Sequence, residues 1–179
     1  MGETALQFAC HGRRTPNLQN PKSECTMKLI QDVVVKPLKV IADERGYLME
    51  MLRVDDPFFQ SFGQVYCSVA YPGVVKGWHY HKVQWDHFVI VHGMMKVVLY
   101  DMRDGSPTKG EVNEFFMGEK NPVLVRIPPG VAHGMKGIEP MGGMLVNTPS
   151  HPYHYTEPDE YRIPAHENDI PYDWNRKDG

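Results

Sequence analysis

The sequence lacks several features that would place it in particular protein classes. Its three cysteines are odd in number and far apart, which argues against a disulfide framework and favours a reducing cytoplasm. No apolar run approaches the roughly 18 residues that span a bilayer, and the first residues do not resemble a secretion signal. The net charge of −3 provides no basic surface for nucleic acid. We therefore expect a cytoplasmic globular protein whose partners are neither membranes nor nucleic acids.

Helical periodicity is also missing, because no segment before Pro149 keeps a 3.6-residue repeat over three turns. Short runs rich in β-branched residues recur instead at roughly the 8–12-residue spacing of a sandwich or barrel. The predicted strands are 29–35, 47–52, 64–71, 74–81, 86–91, 94–101, 112–117, 123–127, 131–136 and 144–147. We predict a tight hairpin at His92-Gly93 and a helical turn within 54–62. The chain is predicted to be all-β.

The composition divides the chain into three parts. Residues 1–26 show no sustained period and are predicted to form a poorly defined N-terminal arm or extension. Residues 27–179 are predicted to form one domain, since this length supports a single core. The part of that domain after Pro149 is rich in tyrosine and proline, and such aromatic content usually packs onto something. We expect it to be an ordered tail that wraps one end of the barrel.

The stretch 73–93 carries the densest chemistry, and its glycines and histidines resemble the first cupin motif. His79 and His81 are two residues apart, so on a strand their side chains share one face. Asp86 follows five residues later, and His133 lies just past a Pro/Gly corner that resembles the second cupin motif. Cupins are double-stranded β-helices, or jelly rolls, with such a site inside the barrel. Three imidazoles and a carboxylate predict a site for one divalent transition metal ion.

A plainer interpretation of these residues is also open. Nine histidines occur in the chain, so some of them are ordinary, and a pair two apart on a strand can simply face solvent. Asp86 has the stronger plain interpretation, because a residue that enters a strand from a turn is often aspartate. If Asp86 points away, His79, His81 and His133 remain as metal ligands.

A closer resemblance covers nearly the whole chain from Leu29 to Trp174. It is carried by the segments DERGYLME (43–50), KGWH (76–79), DMRDGSPTKG (101–110), PPGVAHGM (128–135) and IPYDW (170–174). These segments resemble the dTDP-4-dehydrorhamnose 3,5-epimerase family. The resemblance implies a jelly-roll cupin fold, a homodimer, and removal of protons alpha to the 4-keto group of a nucleotide-linked 6-deoxy sugar. It implies no organic cofactor.

The resemblance also implies roles for individual residues. His79 corresponds to the family's catalytic base and His133 to a second histidine at the sugar site. The aspartate that orients the base falls in the region 166–169, where Asp169 and Glu167 are both candidates. The implied substrate-binding residues are Arg45, Glu50, Gln64 and Lys76. Lys76 stands where the family usually has arginine, which is a weaker phosphate contact but still a cation.

Two departures from the family pattern occur together in the stretch 73–93. His81 replaces a glutamine, and Asp86 aligns with the lysine that steadies the enolate in the family. A bound cation could polarise the keto oxygen and take over the role of that lysine. A histidine that ligates a metal through one nitrogen cannot act as a base through the same nitrogen. His79 therefore has two competing assignments, base and metal ligand.

A third departure concerns the family's tyrosine, the proton donor on the opposite face of the sugar. It aligns near Val146, with Asn147 beside it, so the donor is missing from its usual place. Tyr80, Tyr153 and Tyr155 are candidate substitutes. The missing donor argues against double epimerisation, whereas one-face chemistry, ketoisomerisation or single epimerisation would need no such donor.

These observations support three functional hypotheses. The first is an epimerase or isomerase that acts on a nucleotide-linked 4-keto-6-deoxy sugar during synthesis of polysaccharide precursors. The second is a metal-dependent cupin enzyme of another class, such as a sugar isomerase or an oxygenase, that uses the three histidines and the aspartate. The third is a non-catalytic cupin that binds a sugar.

Overall fold

The computed structural model describes residues 28–178, so the predicted N-terminal arm lies outside the described residues. The strands within this range are β1 (Val34–Pro37), β2 (Val40–Asp43), β3 (Gly46–Met49), β4 (Tyr66–Ala70), β5 (Val75–Tyr80), β6 (Asp86–Asp101), β7 (Val112–Gly118), β8 (Val123–Ile127), β9 (Val131–Gly137), β10 (Gly143–Asn147) and β11 (Tyr161–Arg162). The all-β jelly-roll prediction is confirmed. None of the residues described belongs to a helix that could cross a membrane.

The long strand β6 organises the barrel because it belongs to both of its sheets. The first half of β6 pairs with β8 and β10, and β10 also pairs with β4. The second half pairs with β7 and β9, and β9 in turn pairs with β5. All these pairings are antiparallel. The first sheet therefore faces the second across the interior of the barrel.

The predicted hairpin at His92-Gly93 is wrong, because β6 runs through this point without reversing. Gly93 has φ of +69°, which any other residue would adopt only with strain. A Cβ atom at Gly93 would also lie 2.2 Å from the carbonyl oxygen of Gly142. The glycine therefore marks a bend and a close backbone approach rather than a turn between two strands.

Two other local predictions need correction. The stretch 54–62 forms turns and irregular backbone instead of a helical turn, and Asp56 there pairs with Lys36 at 2.6 Å. Strand β1 begins at Val34 rather than at Leu29, because a turn at Gln31 and Asp32 precedes it.

The apolar side chains form separate clusters on the two faces of the second sheet. The inner face contributes to the main core of the barrel, which includes Phe88, Leu99 and Met135. The outer face packs Trp78 against Trp174 of the C-terminal tail, with ring centroids 4.9 Å apart. The tail is therefore ordered, as predicted, but it covers the outer face of a sheet rather than one end of the barrel.

Candidate active site

A cavity of about 710 Å³ opens between the two sheets of the barrel. Four of the predicted site residues line it, namely Gln64, Lys76, His79 and His81. Side chains alternate along β5, so His79 faces the cavity while its neighbour Trp78 packs against the tail. The position of the cavity therefore follows from the two-residue spacing of the histidines.

The four predicted metal ligands meet at the floor of this cavity. The donor atoms of His79, His81, Asp86 and His133 all lie within 4.8 Å of one another. His79 and His133 occupy paired positions on β5 and β9, and their ring centroids are 4.1 Å apart. The Asp86 Oδ2 atom lies 3.2 Å from Nε2 of His81 and 3.2 Å from Nε2 of His133. Asp86 thus points inward, towards the histidines, and does not face solvent.

The two carboxylate oxygens of Asp86 have different surroundings. Oδ1 accepts hydrogen bonds from the amides of Gln84 at 2.9 Å and Asn147 at 2.8 Å. The Asn147 amide also donates to the hydroxyl of Tyr66 at 2.9 Å. Oδ2 has no hydrogen-bond partner among residues 28–178, although it is fully buried. One oxygen is therefore held by the protein, and the other faces the histidines.

Backbone carbonyls fix the orientation of two of the histidine rings. Nδ1 of His133 donates to the carbonyl of Val131 at 3.0 Å, and Nδ1 of His81 contacts the carbonyl of Asp159. A neutral ring that donates from Nδ1 carries its lone pair on Nε2. The lone pair of a neutral His133 is thus directed at Asp86, an arrangement common in metal-binding histidines, whereas Nε2 of His81 also contacts the side-chain amide of Gln84 at 3.2 Å.

The surroundings shift the pKa of His79 and the pKa of His81 in opposite directions. Burial, reinforced by the neighbouring His133, moves the pKa of His79 well below its usual range, so its imidazole is neutral at pH 7. Burial also lowers the pKa of His81, but the Asp86 carboxylate outweighs burial and raises it to about 8. Burial raises the pKa of Asp86, yet His133 and His81 hold it well below its usual range. His79 is therefore a neutral proton acceptor beside a carboxylate.

Two of the predicted substrate-binding residues lie outside the cavity lining. Arg45 is in the turn between β2 and β3, where it is exposed and pairs with Asp43. Glu50 follows β3 and pairs with Arg53 at 2.8 Å. The hairpin that carries them is a two-stranded sheet of its own. Their predicted role in binding stays a prediction.

The candidates for orienting the base also stand apart from it. Asp169 and Glu167 are exposed and do not line the cavity. The neighbour that the fold gives His79 on its other side is Arg162, because β11 pairs with β5 at this register. That Asp169 or Glu167 orients His79 stays a prediction.

Tyr66 is a cavity residue that the sequence analysis did not single out. It lines the cavity from β4, in the sheet opposite the strand that carries His79. Of the three predicted substitutes, Tyr153 and Tyr155 also line the cavity, whereas Tyr80 stacks on Tyr161 outside it. A usable signal was present in the sequence, since Tyr66 comes two residues after Gln64 and so shares its face.

The chain matches a family model described as dTDP-4-dehydrorhamnose 3,5-epimerase over residues 27–179. It is 46% identical over 151 residues to the "probable low-salt glycan biosynthesis epimerase Agl13" of Haloferax volcanii, covering 83% of this chain and 97% of that protein. It is 43% identical over 149 residues to the "spore coat polysaccharide biosynthesis protein SpsL" of Bacillus subtilis, with coverage of 82% and 97%.

Solved structures show the same relationship. The chain superposes on a dTDP sugar isomerase from Desulfovibrio desulfuricans with a TM-score of 0.78. The two share 32% sequence identity, and the match covers 83% of this chain and 94% of that structure. These similarities extend over the barrel and its cavity, and they bring no support for an oxygenase or a non-catalytic sugar-binding protein.

Proposed function

This chain belongs to the dTDP-4-dehydrorhamnose 3,5-epimerase family, and we propose from this membership that its substrate is a dTDP-linked 4-keto-6-deoxy sugar. The chain is accordingly a sugar-nucleotide epimerase. The names of its relatives further support a role in supplying precursors for a glycan or surface polysaccharide. We propose that it acts in the cytoplasm, where nucleotide sugars are made.

The observation that carries the proposal is the neutral imidazole of His79 on the cavity floor. A ketone acidifies the C–H bonds beside it, but a base must be held next to the carbon. His79 takes a proton from the carbon alpha to the 4-keto group, the C–H bond breaks, and its electron pair forms an enolate. Burial keeps the imidazole unprotonated at pH 7, so it is ready to accept that proton.

Inversion of the carbon then needs a proton donor on the opposite face, and we assign this role to Tyr66. Its hydroxyl oxygen already accepts a hydrogen bond from Asn147, which leaves its own hydrogen available. Burial and the nearby Asp86 raise the pKa of Tyr66 to about 12, so the phenol is protonated at pH 7. The phenol donates to the enolate carbon and recovers a proton from solvent.

We further propose that two copies of the chain assemble as a homodimer. Support comes from the β2–β3 hairpin, whose apolar side chains Val40, Ile41, Tyr47 and Leu48 are 44–58% exposed. A partner that covers this hairpin would also bring Arg45 and Glu50 towards a cavity, where Lys76 and Arg162 already provide cations for a diphosphate. A monomeric mass in light scattering at assay concentration would contradict the dimer.

Solvent exchange tests the proposed reaction. With dTDP-4-keto-6-deoxyglucose in D₂O, the protein should introduce deuterium at C3 or C5, as read by NMR. His79→Asn should lower that rate by roughly a hundredfold to ten-thousandfold, the usual contribution of a general base. Tyr66→Phe should leave exchange at the carbon facing His79 but lower the yield of inverted sugar.

Tyr80→Phe is the matched control for Tyr66→Phe, because Tyr80 also loses a hydroxyl but stacks on Tyr161 outside the cavity. Its exchange and inversion should equal those of the unchanged protein. Absence of deuterium from every carbon of the sugar would refute the proposed reaction. Equal inversion by the Tyr66→Phe and Tyr80→Phe proteins would remove Tyr66 from it.

A further inference from the structure

We propose that His81, Asp86 and His133 form a binding site for one divalent transition metal ion, and that the adjacent His79 is not one of its ligands. Geometry and donor chemistry define this site, and only the role of the metal in catalysis rests on the proposed function. The assignment leaves His79 available as the base, which removes the conflict between its two candidate roles.

The spacing of the three donor atoms fits a shared ion. A tetrahedral metal with bonds of about 2.0–2.1 Å places neighbouring ligand atoms about 3.3 Å apart. Oδ2 of Asp86 lies 3.2 Å from Nε2 of His81 and 3.2 Å from Nε2 of His133. Two edges of such a coordination shell are therefore already formed by the folded chain.

Two of these three atoms are unpartnered in the described residues, whereas Nε2 of His81 also contacts the side-chain amide of Gln84 at 3.2 Å. Within the described part of the chain, neither Oδ2 of Asp86 nor Nε2 of His133 has a hydrogen-bond partner, and both residues are 1% exposed. Nδ1 of His133 donates its hydrogen to the carbonyl of Val131, so in the neutral ring the lone pair lies on Nε2 and points towards the carboxylate. Two buried lone pairs that face each other cost free energy unless a positive charge lies between them.

His79 differs from the other three residues in both position and exposure. Across residues 28–178, only His81 and His133 bring a ring nitrogen within 4 Å of the Asp86 carboxylate. His79 is also the one member of the cluster that is partly exposed, since the other three are buried. It therefore lies between the buried donors and the cavity, where a substrate would be.

The donor set indicates which ions would bind. Two imidazole nitrogens and one carboxylate oxygen suit Zn²⁺, Fe²⁺, Co²⁺ or Ni²⁺ better than Mg²⁺ or Ca²⁺, which prefer oxygen ligands. Three protein ligands leave a coordination position for water or substrate. If the proposed reaction holds, a cation here would stabilise the negative charge of the enolate, the role that a side-chain ammonium cannot fill because Asp86 occupies its place.

The alternative to a metal ion between Oδ2 of Asp86 and the histidine Nε2 atoms is a proton. A doubly protonated His133 or His81 would donate from Nε2 to Oδ2 and satisfy the carboxylate without any metal. The two possibilities differ in stoichiometric metal binding, which is a measurement that needs no substrate.

Cobalt binding to the full chain provides the test. Protein purified without an affinity tag is stripped with a chelator, dialysed, and titrated with Co²⁺ while the visible d–d absorption and bound cobalt are recorded. We expect one equivalent to bind. His81→Gln and His133→Gln should each weaken binding by at least about a hundredfold, since loss of an outer partner of a ligand alone costs 10–100-fold.

Two matched variants show which histidines are ligands. His79→Gln should keep one bound Co²⁺, and His92→Gln should do the same because His92 lies on the exposed middle of β6. Circular dichroism confirms that each variant is folded, and Asp86→Asn serves as a second ligand variant if a histidine variant is not. Binding well below one equivalent in the unchanged protein would overturn the site, as would loss of Co²⁺ from His79→Gln equal to that from His81→Gln.

The metal site and the proposed reaction can be refuted independently of each other. Co²⁺ binding without deuterium exchange on a dTDP-4-keto sugar would keep the site and refute the reaction. Exchange by a protein that binds no Co²⁺ would keep the reaction and refute the site.

Discussion

Strand β6 carries a buried aspartate at each end, Asp86 at its start and Asp101 at its finish. Hydrogen-bond donors surround Asp101 on both oxygens. Its Oδ1 accepts from the backbone and side chain of Arg103, and its Oδ2 accepts from Arg103 and from the hydroxyls of Ser106 and Thr108 at 2.6 Å each. Asp101 is therefore saturated, and it holds the 103–110 loop against the barrel.

Asp86 is equally buried, but only one of its oxygens is held by hydrogen bonds from the protein. In the described residues its Oδ2 has no hydrogen-bond partner, and it faces the Nε2 atoms of His81 and His133. Burial of a carboxylate therefore does not distinguish structure from function in this barrel. The distinction lies in whether its acceptor sites are satisfied, because an unsatisfied buried acceptor costs free energy that a structural role does not require.

The strongest test of this contrast is Asp86→Asn, which should remove activity and spare the fold. The amide keeps the oxygen that accepts from Gln84 and Asn147, and its NH₂ can donate to Nε2 of a neutral His133. The negative charge that would hold the proposed cation on the cavity floor is lost. We expect deuterium exchange on the dTDP-4-keto sugar to fall by roughly a hundredfold or more in a protein that still folds.

Exchange in the Asp86→Asn protein is measured per folded molecule, with near-ultraviolet circular dichroism as the check of tertiary structure. A much lower melting temperature with a normal rate of deuterium exchange would reverse the roles assigned to the two ends of β6.

The converse test, Asp101→Asn, should damage the fold and spare the chemistry. The amide replaces an acceptor by a donor that faces the Arg103 guanidinium and two hydroxyls, so several buried hydrogen bonds are lost. Removing one partner from such a buried network costs about 3 kcal/mol of the free energy of unfolding. Urea unfolding measures that loss, and exchange per folded molecule should match the unchanged protein. A loss below about 0.5 kcal/mol would show that the loop does not depend on Asp101.

Most strands of this fold could be predicted from the sequence, but the way in which some of them join could not. Alternating runs and turn residues were sufficient for most strands, because each depends on its own local pattern. The continuity of β6 was not accessible, since a glycine between two apolar runs also suits a hairpin. It depends on Gly142, which lies 49 positions away in the chain and approaches Gly93 closely.

The candidate site divides in the same way. His79, His81, Asp86 and His133 were found because their spacing is a local property that a strand converts into a shared direction. The pairing of Asn147 with Tyr66 was not found, because it arises from the register of β10 on β4. The same register places Tyr66, the proton donor proposed above, beside the position of the family's tyrosine, which an alignment of single positions cannot reveal.

The smallest expected effect concerns the pH dependence of the free energy of unfolding, in which the two aspartates should behave alike. Burial raises the pKa of each, but His133 and His81 at Asp86, and the donors Arg103, Ser106 and Thr108 at Asp101, hold both well below the usual range. A group with a lowered folded-state pKa adds stability that is complete above its unfolded pKa of about 3.9 and is lost as the pH falls towards the folded value.

Below about pH 5 the unfolded chain therefore binds more protons than the folded one, and the free energy of unfolding should decrease with falling pH. Each aspartate contributes up to about 1.4 kcal/mol per pH unit to this slope. Urea titrations between pH 5 and pH 3 should give a shallower slope for Asp101→Asn and for Asp86→Asn than for the unchanged protein. If only the Asp101→Asn slope becomes shallower, the Asp86 carboxylate is not stabilised as an anion in the folded protein, and the contrast between the two ends of β6 would extend to their charge.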